Sequence, residues 1–247
     1  MLRACCEESI TSSLLRKVGY FRAGLPYGDR ATPKFAITWP VDVFPSKPFV
    51  YDREMDGVSA FVLAGGKSTR MNADKAFVEF GGSTLLARAL KLATNACSET
   101  WIVGPRQKFA DFGQVVEDVF ANHGPLGGIH AALRVSNTDL NFLLAVDLPF
   151  VEVDFVQYLL TQAQISNAMA TVPRAGGGWQ PLCAVYRKPF ADVAETALHQ
   201  SANKIGPLFA KVDVRVVEET ELKSAGFSPE IFRNLNTPDD LAEAYKS

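Results

Sequence analysis

Short apolar segments alternate with amphipathic segments from Val58 to the end of the chain, and this alternation limits the possible folds more than any other feature. Several apolar segments lack strict polar–apolar alternation, which is typical of strands that helices cover on both faces. The predicted strands are Val58–Leu63, Thr100–Val103, Val115–Val116, Asn141–Val146, Ala168–Val172, Leu182–Tyr186 and Val212–Val217. Strands and helices in alternation predict an α/β fold in three layers, with a mainly parallel sheet.

The intervening segments carry apolar residues at helical spacing. One helix is predicted at Thr84–Ala96 with Ser83 as its N-cap, and another at Val153–Gln164. Near the end of the chain, Thr237 is predicted to cap a helix with Pro238 in its first position. The residues expected to face inward from this helix are Leu241, Ala244 and Tyr245. In such sheets, ligands bind beyond the carboxyl ends of the strands, where functional residues are therefore expected.

Composition argues against some classes of partner. The 247-residue chain carries 25 basic and 27 acidic residues, giving a net charge of -2 at pH 7. No overall positive field favours nucleic acid or a membrane surface. No apolar run could span a bilayer, and the first residues lack the apolar core of a secretory signal. No C-x-x-C pair occurs among the four cysteines, which we interpret as free thiols of a cytoplasmic protein.

Residues 1–54 differ from the rest of the chain because their periodicity is weak and prolines recur. These prolines are Pro26, Pro33, Pro40, Pro45 and Pro48. We interpret residues 1–54 as an N-terminal extension, poorly ordered or loosely docked, before a folded domain at residues 55–247. A further hypothesis takes Met55 as the natural first residue, and a native tryptic peptide from residues 31–50 would contradict it.

The loop after the first predicted strand combines two glycines with several basic residues. It reads LAGGKSTRMNADK, from Leu63 to Lys75. Gly65 and Gly66 allow backbone N–H groups to approach a ligand closely and to form an anion-binding turn. Arg70 and Lys75 supply the charge that a triphosphate requires. Neither a Walker A motif nor a G-x-G-x-x-G is present, and an ordinary surface turn with incidental lysines is the alternative.

Carboxylates follow other predicted strands. Asp147 comes after the apolar run FLLAV and suits Mg²⁺, which proteins bind through one or two carboxylates and ligand phosphates. Asp118 precedes the glycine-rich run HGPLGGI, against which a purine could lie, and its carboxylate could accept from guanine N1–H and N2–H₂. Glu117 is interpreted as a solvated charge. The alternatives are a simple turn role for Asp147 and a helix start for Gly127–Gly128.

The stretch LAGGKSTRMNADKA resembles the signature L-A-G-G-x-S-x-R-M-G-x-D-K-A of molybdenum cofactor guanylyltransferases. The ending FRNLNTPDDL resembles the family's F-x-N-x-N-T-P-x-D-L, and the similarity covers Val58 to about Tyr245. Asn72 departs from the family's glycine, although asparagine tolerates the left-handed backbone region better than most residues. The resemblance implies a Rossmann-like nucleotidyltransferase fold. It also implies Mg²⁺-dependent transfer of GMP from GTP to molybdenum-molybdopterin, releasing pyrophosphate.

The same resemblance implies residue roles. Arg70, Lys75 and Asp147 would be catalytic, and Asp147 would also be the metal ligand. The implied nucleotide-binding residues are Leu63, Ala64, Gly65, Gly66, Lys75, Asp118, Gly128 and Asp147. Whether Asp118 contacts base or ribose is left open. The implied residues on the substrate side are Gln180, Pro181, Asn234 and Asn236, near Trp179, which could stack on a pterin.

The implied partners are GTP and molybdenum-molybdopterin, with molybdopterin-delivering proteins and target molybdoenzymes as further candidates. One alternative function is that of a related cytidylyltransferase or sugar-1-phosphate nucleotidyltransferase, enzymes that usually begin L-A-A-G rather than L-A-G-G. Another is that of a non-catalytic nucleotide sensor or an adaptor to the molybdoenzyme pathway. The presence of Lys75 and Asp147 disfavours that second alternative.

Overall fold

The computed structural model describes residues 57–65, 74–120 and 123–246, so the predicted extension at residues 1–54 lies outside it. In chain order the strands are β1 (Val58–Leu63), β2 (Glu79–Phe80), β3 (Ser83–Thr84), β4 (Glu99–Val103), β5 (Gln114–Val116), β6 (Leu140–Ala145), β7 (Ala170–Ala175), β8 (Gly178–Trp179), β9 (Cys183–Arg187) and β10 (Val214–Glu218). The helices are α1 (Leu85–Ala96), α2 (Arg106–Phe109), α3 (Pro125–Val135), α4 (Val153–Ser166), α5 (Phe190–His199), α6 (Glu219–Ser224) and α7 (Pro238–Ala244). Turns of 3₁₀ helix lie at Lys75–Phe77, Ala110–Phe112, Gly206–Lys211 and Pro229–Phe232. None of the described helices is long and apolar enough to cross a membrane.

The main sheet is mixed but mostly parallel. Its strand order is β10-β7-β9-β6-β1-β4-β5, with β8 added to β7, while β2 and β3 form a separate two-stranded ribbon. The pairs β1–β4, β1–β6, β4–β5 and β7–β10 are parallel. Strand β9 is antiparallel to both of its neighbours, β6 and β7. The carboxyl ends of β1, β4, β5 and β6 therefore share one edge of the sheet with the beginning of β9.

The core lies on both faces of this sheet, which confirms the predicted three-layer α/β class. In β1, the side chains of Ala60 and Val62 join the apolar cluster that includes α1 and α4. Those of Phe61 and Leu63 join the opposite cluster, which includes α3 and α5. Because neighbouring side chains on a strand point to opposite faces, a strand covered on both sides is mainly apolar. The segment VSAFVL is accordingly buried along its whole length.

Two local predictions are wrong. The N-cap of α1 is Thr84, whose Oγ1 accepts from the Ala87 backbone N–H at 3.2 Å, because α1 begins at Leu85, one residue later than predicted. The side chain of Tyr245 does not face the core and is 60% exposed. It lies over the ring of Phe80, where its hydroxyl donates to the Glu79 carbonyl.

Candidate active site

The ends of β1 and β4 meet through backbone atoms. The N–H groups of Ala64 and Gly65 both donate to the Val103 carbonyl at 3.0 Å. A Cβ placed on Gly65 would lie 3.2 Å from the Cα of Gly104, and one placed on Gly104 would lie 2.7 Å from the Phe109 ring. The side chains of Leu63 and Ala64 are buried, so these residues can offer a ligand only backbone groups. Glycine is needed here because two chain segments touch.

Beyond Gly65, the chain enters residues 66–73, which the structure does not describe. The predicted nucleotide-binding role of Gly66 and the predicted catalytic role of Arg70 fall within that segment. Both roles therefore stay predictions. The described chain resumes at Asp74, directly before Lys75.

Lys75, Asp147 and Asn236 come together from distant parts of the sequence. The Lys75 ammonium donates to Asp147 Oδ2 at 3.2 Å and also to Asn236 Oδ1. The side chains of Lys75 and Asp147 keep 23% and 20% of their surface exposed, so the pair is accessible but shielded from bulk water. We refer to these three residues as the lysine cluster.

Backbone contacts explain the position of Asp147 and Asn236. Asp147 lies two residues beyond the end of β6, and its carbonyl accepts from the N–H of Leu235 at 3.0 Å. Leu235 is fully buried, so this contact fastens the segment before α7 to the strand end. Thr237 then begins α7 with a capping box, because Asp240 Oδ2 accepts from the backbone N–H groups of Asn236 and Thr237 at 2.8 Å.

The position of Lys75 depends on Asp74, to which no role was assigned from the sequence. Asp74 caps the 3₁₀ turn Lys75–Phe77 by accepting from the Ala76 N–H at 3.2 Å. Its other carboxylate oxygen forms an ion pair with Lys108. Burial lowers the pKa of the Lys108 ammonium, which also lies 4.8 Å from the centre of the Phe109 ring. Lys108 lies too far from Asp74 in sequence for local patterns to reveal the pairing.

Asp118 lies beyond β5, against the first turn of α3. Its Oδ1 accepts from the Phe120 N–H at 2.9 Å, and a Cβ placed on Gly127 would lie 2.4 Å from its Oδ2. Glycine at position 127 is therefore required for this carboxylate to reach the helix. Desolvation raises the pKa of Asp118, opposed by the Phe120 hydrogen bond and by the nearby His123 and His130. Positive charge at the helix N-terminus suits an anionic side chain here.

The other residues predicted around the nucleotide have defined packing roles. A Cβ placed on Gly128 would lie within 3.3 Å of both Val103 and Leu63, so this glycine allows α3 to lie close against the sheet. Glu117 is exposed, as expected, and accepts from the Arg106 N–H at 2.8 Å. The Arg106 guanidinium donates to the Val115 carbonyl. Contact between Gly128 and a nucleotide stays a prediction.

The residues predicted on the substrate side lie partly at the same edge. Because β9 runs antiparallel to β6, the segment before it meets the end of β6, where the Ala145 N–H donates to the Leu182 carbonyl at 2.7 Å. Gln180 and Pro181 immediately precede this contact, and both are half-buried. Asn234 is exposed, unlike Asn236.

Trp179 was interpreted from sequence as a candidate for stacking on a pterin. Its ring lies 4.9 Å from that of Phe209, and the Arg174 guanidinium lies 5.7 Å from the Trp179 ring centre. These protein contacts account for its position without a ligand. Stacking on a pterin therefore gains no support from this arrangement.

The metal-binding capacity of the described residues is modest. None of them belongs to a group of three or more His, Cys, Asp or Glu side chains able to hold a metal ion. Asp147 offers one carboxylate beside a lysine, and Oδ2 is the oxygen that the lysine occupies. A single carboxylate fits a Mg²⁺ ion that draws its remaining ligands from water and substrate phosphates. It does not fit a structural zinc site.

In open α/β sheets ligands bind beyond the carboxyl ends of the strands, and the close backbone turn after β1 and the lysine–aspartate pair after β6 both lie there, as expected of a nucleotide-binding α/β enzyme. Comparison with known proteins supports that class. Residues 60–216 match the family described as the MobA-like NTP transferase domain. The chain belongs to this family, which confirms the resemblance found in the sequence.

Individual relatives agree with the family match. A probable molybdenum cofactor guanylyltransferase from Clostridium perfringens is 33% identical over 192 residues, covering 76% of this chain and 96% of the relative. A molybdenum cofactor guanylyltransferase from Desulfosudis oleivorans is 31% identical over 193 residues, covering 77% and 95%. The crystal structure of molybdopterin-guanine dinucleotide biosynthesis protein A from Archaeoglobus fulgidus is 27% identical with a TM-score of 0.67, covering 76% and 97%.

Proposed function

We propose that this protein transfers GMP from GTP to molybdenum-molybdopterin, forming the guanine dinucleotide cofactor and releasing pyrophosphate. The observation that supports the proposal is the lysine cluster, in which Lys75 meets Asp147 and Asn236 at the edge of the sheet where the nucleotide is expected to bind. A cytoplasmic location, and contact with molybdopterin-delivering proteins and molybdoenzymes, belong to the same proposal.

The reaction requires no protein nucleophile. An oxygen of the terminal phosphate of molybdopterin attacks the α-phosphorus of GTP, and the bond from that phosphorus to the β-phosphate oxygen breaks. The pyrophosphate leaves with the electron pair of the broken bond. Positioning of the two phosphates and neutralisation of the charge on the leaving group therefore account for the catalysis.

Lys75 is the described residue best placed to neutralise that charge, and Arg70 is expected to assist it. Asn236 accepts a hydrogen bond from the Lys75 ammonium through its side-chain oxygen. Lys75 would therefore keep a hydrogen-bond partner if the Asp147 carboxylate bound a metal ion instead. Asp147 would hold Mg²⁺, whose charge would polarise the phosphate oxygens and favour attack at the α-phosphorus. Asp118 would accept from the nucleotide beside the N-terminus of α3.

Nucleotide preference gives the first test. A ligand that binds the native state raises the melting temperature, so GTP with Mg²⁺ should raise it more than CTP, UTP or ATP does at equal concentration. A larger shift with CTP would favour a cytidylyltransferase instead. Product analysis with molybdenum-molybdopterin should then detect the guanine dinucleotide cofactor and pyrophosphate. GTP binding without product under these conditions would indicate a nucleotide sensor and contradict the proposed transfer.

A further inference from the structure

A long groove lies beside the loop that follows β6, outside the lysine cluster. It consists of two adjoining cavities with volumes of about 580 and 490 Å³, which have Arg88, Pro149, Val151 and Glu152 in common. We call this region the arginine groove and define it by Arg88, Pro149, Phe150, Val151, Glu152 and Arg233. None of the three residues of the lysine cluster lines it.

Two guanidinium groups are held in the arginine groove by aromatic rings. The Arg88 guanidinium lies 5.2 Å from the centre of the Phe80 ring, and its Nη2 donates to the Pro149 carbonyl at 3.4 Å. The Arg233 guanidinium lies 5.1 Å from the centre of the Phe150 ring. The rings of Phe80 and Phe150 themselves meet edge to face at 5.5 Å. Aromatic faces attract guanidinium groups and limit their motion, so both cations are held in place before a ligand arrives.

Neither of these two guanidinium groups forms an ion pair in the described part of the protein. Among the described residues, no carboxylate lies within ion-pair distance of Arg88 or Arg233, although Glu152 lines both cavities and Glu230 lines the second. Asp240 lies near enough for Arg233 to help lower its pKa, but its carboxylate is occupied mainly by backbone N–H groups. Two such cations in one partly enclosed space repel each other.

Each guanidinium also has one nitrogen without a hydrogen-bond partner among residues 57–65, 74–120 and 123–246. These are Arg88 Nε and Arg233 Nη2, and both are buried. A buried N–H without an acceptor costs about 1–3 kcal/mol, more for a charged group. An oxyanion that reached these nitrogens would give them acceptors and would offset the positive charge.

We propose that the arginine groove binds a phosphate group, at a site beside the lysine cluster that none of its three residues lines. Phosphate provides negative charge for two cations and several oxygens for guanidinium forks, whereas a carboxylate provides one charge and two oxygens. Apolar side chains such as Leu92, Val151 and Ile231 continue the lining on both sides of Arg88. The groove therefore fits a phosphate monoester with an apolar body better than free phosphate.

Direct titration of the whole protein without nucleotide or Mg²⁺ tests this proposal. Inorganic phosphate and phenyl phosphate are each added to the Lys75→Ala variant, in which phosphate binding at the lysine cluster is weakened. The ¹H–¹⁵N resonance of Arg88 Nε is followed by NMR, and the dissociation constant is measured by calorimetry. We expect this resonance to shift with both probes, and phenyl phosphate to bind at least about fivefold more tightly if an ester is the natural ligand. Equal affinities would assign the site to free phosphate.

Variants locate the site. In the same background, Arg88→Gln and Arg233→Gln should each raise the dissociation constant about tenfold or more, while Arg88→Lys should give an intermediate value because it keeps only the charge. Arg174→Gln is the matched control, since that arginine forms an exposed pair with Glu218. Absence of phosphate binding, equal weakening by Arg174→Gln, or no shift of the Arg88 resonance in the otherwise unmodified groove would overturn the proposal. The NMR result does not depend on whether the arginine variants fold.

Discussion

Beyond β1, β4 and β5, three glycines allow chain segments and the Asp118 carboxylate to pack closely at the edge of the sheet. These glycines are Gly65, Gly104 and Gly127. Beyond β6, the same edge carries the lysine cluster, whose polar side chains come together from distant parts of the sequence. We compare these two regions. We call the first region the glycine side. On the glycine side an added methyl group would collide with backbone, ring or carboxylate atoms, whereas in the lysine cluster a removed charge leaves the packing almost intact.

This contrast separates two ways of losing activity. Variants of the lysine cluster should lose the chemical step while keeping their stability. Variants of the glycine side should lower the free energy of unfolding or the affinity for the nucleotide, and should change the rate of the chemical step less.

The largest effect is expected in the lysine cluster. Lys75→Ala or Asp147→Ala should lower the rate of GMP transfer about a hundredfold or more, comparable to the loss of a preorganised donor in other enzymes. Melting temperatures should change little, because both side chains are partly exposed. The controls are Lys223→Ala, at a lysine paired with Glu219 on the surface of α6, and Asp111→Ala, at an exposed residue. Near-normal turnover in either test variant would rule out these roles.

On the glycine side, Gly104→Ala should reduce stability by about 1–3 kcal/mol, the usual effect of overpacking. Its Cβ would lie 2.7 Å from the Phe109 ring and 3.2 Å from the Gly65 nitrogen. Urea-induced unfolding provides the measurement. Gly206→Ala is the matched control, because no atom of the described residues lies within 4 Å of the position of its Cβ. Equal stability of the two variants would show that the ends of β1 and β4 are not in close contact.

Substitution of Asp118 should affect nucleotide binding and protein stability in different ways. Asp118→Asn should weaken GTP binding about tenfold, as expected from the loss of a charged hydrogen-bond acceptor. Its pKa is raised in the folded protein, so the unfolded chain releases this proton first. The carboxylate therefore contributes less stability as the pH rises above its unfolded pKa of about 3.9 towards its folded pKa.

The Asp118→Asn substitution removes that pH-dependent loss. Relative to the wild type, this variant should become more stable as the pH rises above about 4, measured by urea unfolding at several pH values. Asp111→Asn should show no such trend, because Asp111 is exposed. A variant that loses stability relative to the wild type over this range would show that the folded protein favours the charged form of Asp118.

The smallest effect is expected at the cap of α7. Thr237→Ala removes the acceptor of the Asp240 N–H and should cost about 1 kcal/mol of stability. Because Asn236 immediately precedes this cap, the rate of transfer should also fall by a small factor. Thr237→Ser keeps the hydroxyl and should restore both properties. If Thr237→Ala loses stability without any change in rate, the cap does not position Asn236.

Much of the fold could be predicted from local pattern. The bounds of β1 agree with its apolar run, and Thr237 caps α7 as expected, because both depend on neighbouring residues. Tyr245 was placed wrongly because it follows α7 and covers Phe80, a contact that helical periodicity does not report. The cap of α1 was placed one residue too early, at Ser83. The short β2–β3 ribbon before α1 has no strong sequence pattern that would mark where the helix begins.

The site could be predicted only in part. Asp118 and Asp147 are found because they follow apolar strands, and the parallel order of β1, β4, β5 and β6 brings their ends to one edge. The pair of Asp74 with Lys108 could not be found, since it links residues through the tertiary fold. The pairing of Arg88 and Arg233 with Phe80 and Phe150 was missed for the same reason.

The reversed direction of β9 has a practical consequence for engineering. A parallel strand could bring only its final residues to the ligand-binding edge, but β9 brings the residues that precede it, from the hairpin between β7 and β9. That hairpin can be exchanged between relatives without cutting any strand that carries Gly65, Asp118 or Asp147. If Gln180 and Pro181 contact the second substrate as predicted, hairpin grafts should change that substrate and leave the residues predicted to bind the nucleotide in place.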